Sequence, residues 1–240
     1  MNIIVTGASR GLGLEITRQL LAQGDRVLAI SRQESPELAT LRKAQPEKLF
    51  FKACDLSEVD AVTSELLSLP NGESSSIDGL VNNAATAYDD LVTNLNADSL
   101  EAMFRLNVFA AMMLSKLAIR NMLLHKTRGS LVHVSSISAH TGFKGLSMYA
   151  GTKGALESFS KNLAREWGSL GIRSNCIVPG FMETEMSASL KEEQKEKIYR
   201  RAALQQATAP ESVAATVCFL LGPGAASITG QAIAVDGGTL

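Results

Sequence analysis

Thr6-Gly7-Ala8-Ser9-Arg10-Gly11-Leu12-Gly13 stands at a strand-to-helix junction: the apolar run Ile3-Ile4-Val5 precedes it, and Leu12, Ile16 and Leu20 recur behind it at helical spacing. Glycines at such a junction let the backbone turn tightly and approach a pyrophosphate. The helix N-terminus that follows presents unpaired N–H groups to an anion. The spacing G-x-x-x-G-x-G is one residue longer than the usual dinucleotide fingerprint, so the loop alone can also be read as a tight turn without a ligand. Its candidate cofactor contacts are Gly7, Ser9, Arg10, Gly11, Leu12 and Gly13.

The same alternation continues to the end of the chain. Short apolar runs at 3–5, 27–30, 49–53, 79–81, 131–134, 172–178 and 233–235 are separated by amphipathic stretches at 12–21, 37–44, 59–69, 99–124, 155–167 and 211–221. Strands alternating with helices imply repeated βαβ units. The expected fold is α/β: a Rossmann-type, doubly wound, mostly parallel seven-stranded sheet with helices on both faces. At 240 residues, 45% hydrophobic and 20% charged, the chain reads as a single domain spanning 1–240. The polar stretch 71–76 is short enough to be a loop rather than a boundary. Segment 182–208 breaks the alternation, carries the charge run 191–197 and reads as a lid over the sheet.

Several classes are excluded. A formal net charge of −1 gives no nucleic-acid footprint. Cys54, Cys176 and Cys218 are far apart and form no C-x-x-C, so they read as reduced core thiols, with no metal site. There is no signal-peptide pattern, and no apolar run approaches the roughly 20 residues of a membrane span. A cytoplasmic protein is expected.

The ends of the strands supply further candidates. In NAD-binding domains an acidic residue about 20 residues past the glycine loop grips the ribose 2′-hydroxyl. Here the second strand ends Ile30-Ser31-Arg32. Ser31 brings no repelling carboxylate, and Arg10 and Arg32 are placed to attract a 2′-phosphate, which favours NADP(H). Both arginines otherwise read as solvated. The third strand ends at Asp55-Leu56, where the carboxylate either accepts from an adenine amino group or caps the next helix. The fourth ends Asn82-Asn83-Ala84-Ala85; small Ala84 admits a cofactor, and Asn82 faces it or bridges strands.

Tyr149 and Lys153 are four residues apart, one face of a helix, with Ser135-Ser136 upstream. A phenol titrates near pH 10, and a nearby ammonium would lower that value enough for proton exchange. Together and in this order, the glycine loop, Asn82-Asn83-Ala84, Ser136 and Tyr149-x-x-x-Lys153 resemble the short-chain dehydrogenase/reductase family over the whole chain. The glycine loop, the run from Pro179 to Met186, and Ile228-Thr229-Gly230 with Asp236-Gly237-Gly238 look like its β-ketoacyl-(acyl-carrier-protein) reductase branch.

The resemblance implies NADPH-dependent reduction of a β-ketoacyl thioester, bound to acyl carrier protein or CoA, in fatty-acid or polyketide-type synthesis. It implies that Tyr149 is the general acid, that Lys153 lowers its pKa and binds the nicotinamide ribose, and that Ser136 polarises the carbonyl. Asn107 would hold a water relaying protons through Lys153. Pro179, Gly180 and Met182 would flank the nicotinamide, Thr184 would contact the carboxamide or pyrophosphate, and a homotetramer would form through the long helices. Thr127 and Leu170 depart from the branch, which usually has basic carrier-docking residues there; Lys126, Arg128 and Arg173 stand close by. That departure keeps a second reading open, a reductase or dehydrogenase of a free ketone, sugar or steroid. A non-catalytic nucleotide-binding scaffold is a third, against which the intact Ser136, Tyr149 and Lys153 argue.

Overall fold

The computed structural model describes residues 1–68, 76–183 and 191–240. Strands β1 (Asn2–Thr6), β2 (Arg26–Ser31), β3 (Leu49–Ala53), β4 (Gly79–Asn82), β5 (Ser130–Val134), β6 (Arg173–Pro179) and β7 (Ala232–Val235) form one sheet, ordered β3-β2-β1-β4-β5-β6-β7. Every pairing is parallel, so the sheet is wholly rather than mostly parallel. Helices α1 (Gly11–Ala22), α2 (Pro36–Ala44), α3 (Ala97–Phe104), α4 (Ala110–His125), α5 (Ser147–Trp167), α6 (Glu192–Tyr199) and α7 (Pro210–Leu221) lie between and around the strands.

Strand alternation divides the core into two layers. Ile3, Val5, Val27 and Ala29 pack against α1 and α7 on one face, while Ile4, Leu28, Ile30, Leu80 and Leu131 pack against α4 and Leu163 of α5 on the other. Burial on both faces explains why the strands read as unbroken apolar runs. Each fully buried Ile or Leu contributes about 1.5–3 kcal/mol, which concentrates stability in the central strands.

One connection differs from the sequence expectation, and the long helix is interrupted. The stretch 59–69 holds only two 3-10 turns among its described residues, Val59–Ala61 and Glu65–Leu67. Val62, Thr63, Ser64 and Ser68 are weak helix formers, and Val62, Leu66 and Leu67 reach the core without a longer helix. The loop expected at 71–76 lies outside the described residues except for Ser76, whose carbonyl accepts from Asn2 Nδ2 at 2.9 Å. The long helix is capped by Asn96, which accepts from Ser99 N at 2.8 Å, and a π-helical turn, Arg105–Phe109, interrupts it between α3 and α4.

That composite helix, 97–125, is long and apolar enough to cross a membrane, contrary to the expectation of no such stretch. Half of its most apolar window is buried in the protein, and Leu114, Ala118 and Met122 pack under the sheet. Its apolar character therefore belongs to a core helix.

The chain leaves β1 toward β2 and β4 toward β5, in opposite directions along the sheet. A crevice therefore opens at the C-terminal ends of β1 and β4, the usual ligand position in such sheets.

Candidate active site

The glycine loop lines this crevice and is tied to the end of β4. Thr6 Oγ1 accepts from Asn83 N and Ala84 N, both at 3.0 Å, and Asn83 Nδ2 donates to Thr6 O at 2.9 Å and Gly7 O at 3.2 Å. Gly7 and Gly11 have φ of +64° and +53°, backbone that favours glycine. A Cβ on Gly7 would meet Ala84 Cα at 2.9 Å, and one on Gly13 would overlap the Gly7 carbonyl. Arg10 sits at the helix N-cap without a side-chain cap, and the first turn of α1 holds no acidic residue. The leading N–H groups of α1 thus remain suited to an anion. Ser9 is half-buried beside them, Arg10 and Gly11 are exposed, and Leu12 and Gly13 are buried.

At the end of β2, Ser31 is buried and its Oγ donates to Gln33 O at 2.9 Å. Arg32 is exposed. The first carboxylate beyond it, Glu34, is gripped by Arg42 through Nε at 2.6 Å and a second guanidinium nitrogen at 3.0 Å. Asp55 does not cap a helix; its Oδ1 accepts from Ser57 N at 3.0 Å and Ser57 Oγ at 2.7 Å, closing a turn, and Leu56 behind it is buried. The Ser57 hydroxyl, with Arg32 as a lesser influence, holds the Asp55 carboxyl below its usual range.

Asn82 takes the bridging role of its two readings. Nδ2 approaches Ser115 Oγ at 3.1 Å and His133 Nδ1 at 3.1 Å, joining β4 to α4 and β5, while Oδ1 is buried without a hydrogen-bond partner. Burial drives the His133 pKa down to about 4, so the imidazole is neutral.

The structure separates the two serines after β5. Ser136 Oγ accepts from Ser138 N at 3.2 Å, heading a 3-10 turn, and its hydroxyl lowers the pKa of the Tyr149 phenol against the effect of burial. Ser135 Oγ instead donates to Glu157, whose Oε1 also meets His140 Nε2 at 2.9 Å. Tyr149 and Lys153 occupy the opening turns of α5.

The phenol differs from the sequence expectation: burial pushes its pKa up to about 12, with Ser136 opposing and the Asp89 charge adding. Lys153 does not offset this, because its Nζ donates to Val134 O at 2.8 Å and stands 5.5 Å from the Tyr149 ring centroid. Burial in turn brings the Lys153 pKa down to about 8.

Asn107 is 0% exposed, inside the π turn. Its Oδ1 accepts from Thr86 N at 2.9 Å, and Nδ2 donates to Thr86 O at 2.9 Å and Thr152 Oγ1 at 3.1 Å.

Beyond β6, Gly180 N donates to Val235 O at 3.0 Å, and a Cβ there would crowd Asp236 Cα at 2.7 Å. Pro179 is buried, and half-buried Met182 packs on the core. Thr184 lies outside the described residues. The described part of the expected lid carries α6, fastened by Tyr199 O–H donating to Glu183 and by Thr208 N donating to Phe181 O at 2.8 Å. Between this arm and the Ser136 loop lies a small cavity lined by Ile137, Phe143, Phe181, Ile198 and Tyr199. Of the cations near the missing carrier-docking positions, Arg173 faces inward, its guanidinium donating to Leu221 O and Gly222 O at 3.3 Å each.

Sequence reasoning did not single out Asn83 as the staple of the glycine loop, though it lay in the quoted Asn82-Asn83 pair. It passed over Thr152 inside the Tyr-Lys spacing, and Asp89 carried no signal.

Known proteins resemble this chain along its length. The family model described as enoyl-(acyl carrier protein) reductase matches residues 7–239. A 3-oxoacyl-(acyl-carrier-protein) reductase of Chlamydia trachomatis is 33% identical over 238 residues, covering 98% of this chain and 95% of that one. The enzyme of the same description from Escherichia coli is 32% identical over 237 residues, covering 98% and 95%. Among solved structures, a short chain dehydrogenase/reductase family protein superposes with a TM-score of 0.88 at 30% identity, covering 99% and 96%. A variant actinorhodin polyketide ketoreductase with NADPH gives 0.89 at 30% identity, also covering 99% and 96%.

Proposed function

Because the chain belongs to the short-chain dehydrogenase/reductase family, and within it is most like the 3-oxoacyl-(acyl-carrier-protein) reductases, we propose that it reduces a β-ketoacyl thioester to the β-hydroxyacyl thioester with NADPH. The observation that carries this reading is the Ser136 hydroxyl acting on the Tyr149 phenol, with burial holding that phenol protonated. A ketone gains negative charge on oxygen as it is reduced, and two positioned O–H donors stabilise that charge. Tyr149 gives the proton and Ser136 orients the carbonyl. NADPH, when bound, supplies the hydride. Lys153, released from Val134 O, would turn to the cofactor ribose and the phenol. The enoyl label of the family model names reduction of a carbon–carbon double bond; a paired hydroxyl donor set fits a ketone oxygen better.

The residues fit a dinucleotide. A cradle that a Cβ would fill lies at Gly7 and Gly13, and the N-terminus of α1 is uncapped. NADP is favoured over NAD by Arg10 and Arg32 at the surface and by Glu34, whose carboxylate Arg42 withholds. Asp55, Leu56 and Ala84 would line the adenosine side, and Pro179, Gly180 and Met182 the nicotinamide side. We place the enzyme in the cytoplasm as a homotetramer, with Phe109 and Leu124, exposed by 46% and 74%, on the packing surface of the long helix.

Steady-state assays with acetoacetyl thioesters of carrier protein and of CoA, and with free ketones, test the reading with NADPH and NADH. Turnover of thioesters with NADPH is expected; its absence at every chain length would overturn the proposal. A specific observation favours a free ketone as runner-up: Arg173 is used inside the protein, which weakens the case for carrier docking. Preference for free ketones over carrier-bound substrate would select that reading.

A further inference from the structure

We propose that Thr152 is a positioning residue that holds the turn carrying Tyr149 against the π turn carrying Asn107; the inference rests on the reductase reading above. Thr152 is fully buried. Its Oγ1 donates to Tyr149 O at 2.7 Å. A hydroxyl has one proton, so at the 3.1 Å contact with Asn107 Nδ2 it is the acceptor. The orientation of the Asn107 amide follows: the second Nδ2 proton goes to Thr86 O, and Oδ1 accepts from Thr86 N, each at 2.9 Å.

One chain of hydrogen bonds therefore joins the loop after β4, the π turn and the first turn of α5. A threonine bonding back to the carbonyl three residues earlier is common in helices and is by itself local. The bond to Asn107 is not local, since it crosses 45 residues of sequence. Removing the hydroxyl leaves Asn107 Nδ2 a buried donor without its acceptor and frees the Tyr149 carbonyl. The expected consequence is a shift of the Tyr149 turn relative to Ser136. Misplacing a reacting group lowers rate more than it lowers binding.

Thr152→Val keeps shape and removes the hydroxyl; Thr152→Ser keeps the hydroxyl. With acetoacetyl-CoA and NADPH, Thr152→Val is expected to lower kcat about tenfold, one hydrogen bond expressed as rate, with KM and the NADPH Kd held within about twofold. Thr152→Ser is expected to restore kcat. A folded Thr152→Val with unchanged kcat, or a Thr152→Ser as slow as Thr152→Val, overturns the proposal. If the wild type turns over no carbonyl substrate, the reductase reading fails, and hydrogen exchange then judges the link alone. Faster exchange in Thr152→Val at both 147–153 and 105–109 supports it; a change confined to 147–153 overturns it.

Discussion

On the cofactor side of the crevice, Thr6, Asn83 and Gly13 bind three backbone segments to one another with bonds of 2.9–3.2 Å and no room for a methyl group. On the other side, the described part of the arm 180–208 is held near its ends by backbone bonds, Thr208 N to Phe181 O at 2.8 Å and Leu204 N to Gly237 O at 2.9 Å, and along α6 by side chains, Tyr199 on Glu183 and Lys195 on Glu183 at 3.4 Å. The first region is specified by close backbone packing, which tolerates little; the stretch of the second along α6 by side-chain contacts, which tolerate more. On the proposed reductase reading, the difference suits the two halves to different tasks: a fixed seat for a dinucleotide and an adaptable wall for an acyl group.

The sharpest test of the seam between them is Tyr149→Phe, which removes the proton donor and keeps the ring. It is expected to lower kcat by about 10²–10⁴-fold with NADPH affinity unchanged in a fluorescence titration. Gly13→Ala probes the rigid side: a methyl group pressed on the Gly7 carbonyl is expected to destabilise the fold by about 3 kcal/mol, seen in urea unfolding, and to weaken NADPH binding. Arg32→Glu should weaken NADPH relative to NADH by about 10–100-fold, the range of a lost charge-assisted contact, read as the ratio of the two kcat/KM values.

A smaller effect comes from pH. Lys153 titrates near 8 in the folded protein against 10.5 for a free lysine, so between these values the unfolded chain binds more protons and stability rises with pH. Tyr149, raised from 10.0 to about 12, acts oppositely: above pH 10 the folded chain holds the extra proton and stability falls. The buried thiols of Cys176 and Cys218, raised to about 12 and 11, also lower stability above pH 9, so the Lys153 contribution is read as a difference: from pH 8 to 10 the wild type should gain on the order of 1 kcal/mol relative to Lys153→Met in urea melts. Tyr199→Phe, on the adaptable wall, should leave the melting temperature unchanged, because an exposed pair contributes little. A large loss there would contradict the contrast drawn above.

The sequence is most legible where burial or backbone geometry leaves few choices. The run at 27–30 reads as a strand because both faces of the sheet are covered there, and 49–53 pairs with it in parallel register at the sheet edge. The glycine loop is legible because few residues besides glycine fit at φ +64°. Segment 59–69 is not, because its apolar spacing suits a helix while its β-branched and serine residues allow shorter turns. The Tyr149–Lys153 spacing correctly predicts a shared helix, but the phenol's pKa depends on burial and on where Nζ is tethered, neither of which a spacing encodes. Asn107 shows the same limit: a polar residue in a helix gives no hint that its amide joins Thr86 and Thr152.

On the proposed NADPH reading, the clasp of Arg42 on Glu34 gives coenzyme preference a control point in α2. Arg42 lies in the last turn of α2. Replacing it by a neutral residue would free the Glu34 carboxylate three residues past the end of β2. In descendants of this chain, a shift of coenzyme preference would then start from α2 rather than from the glycine loop or Arg32.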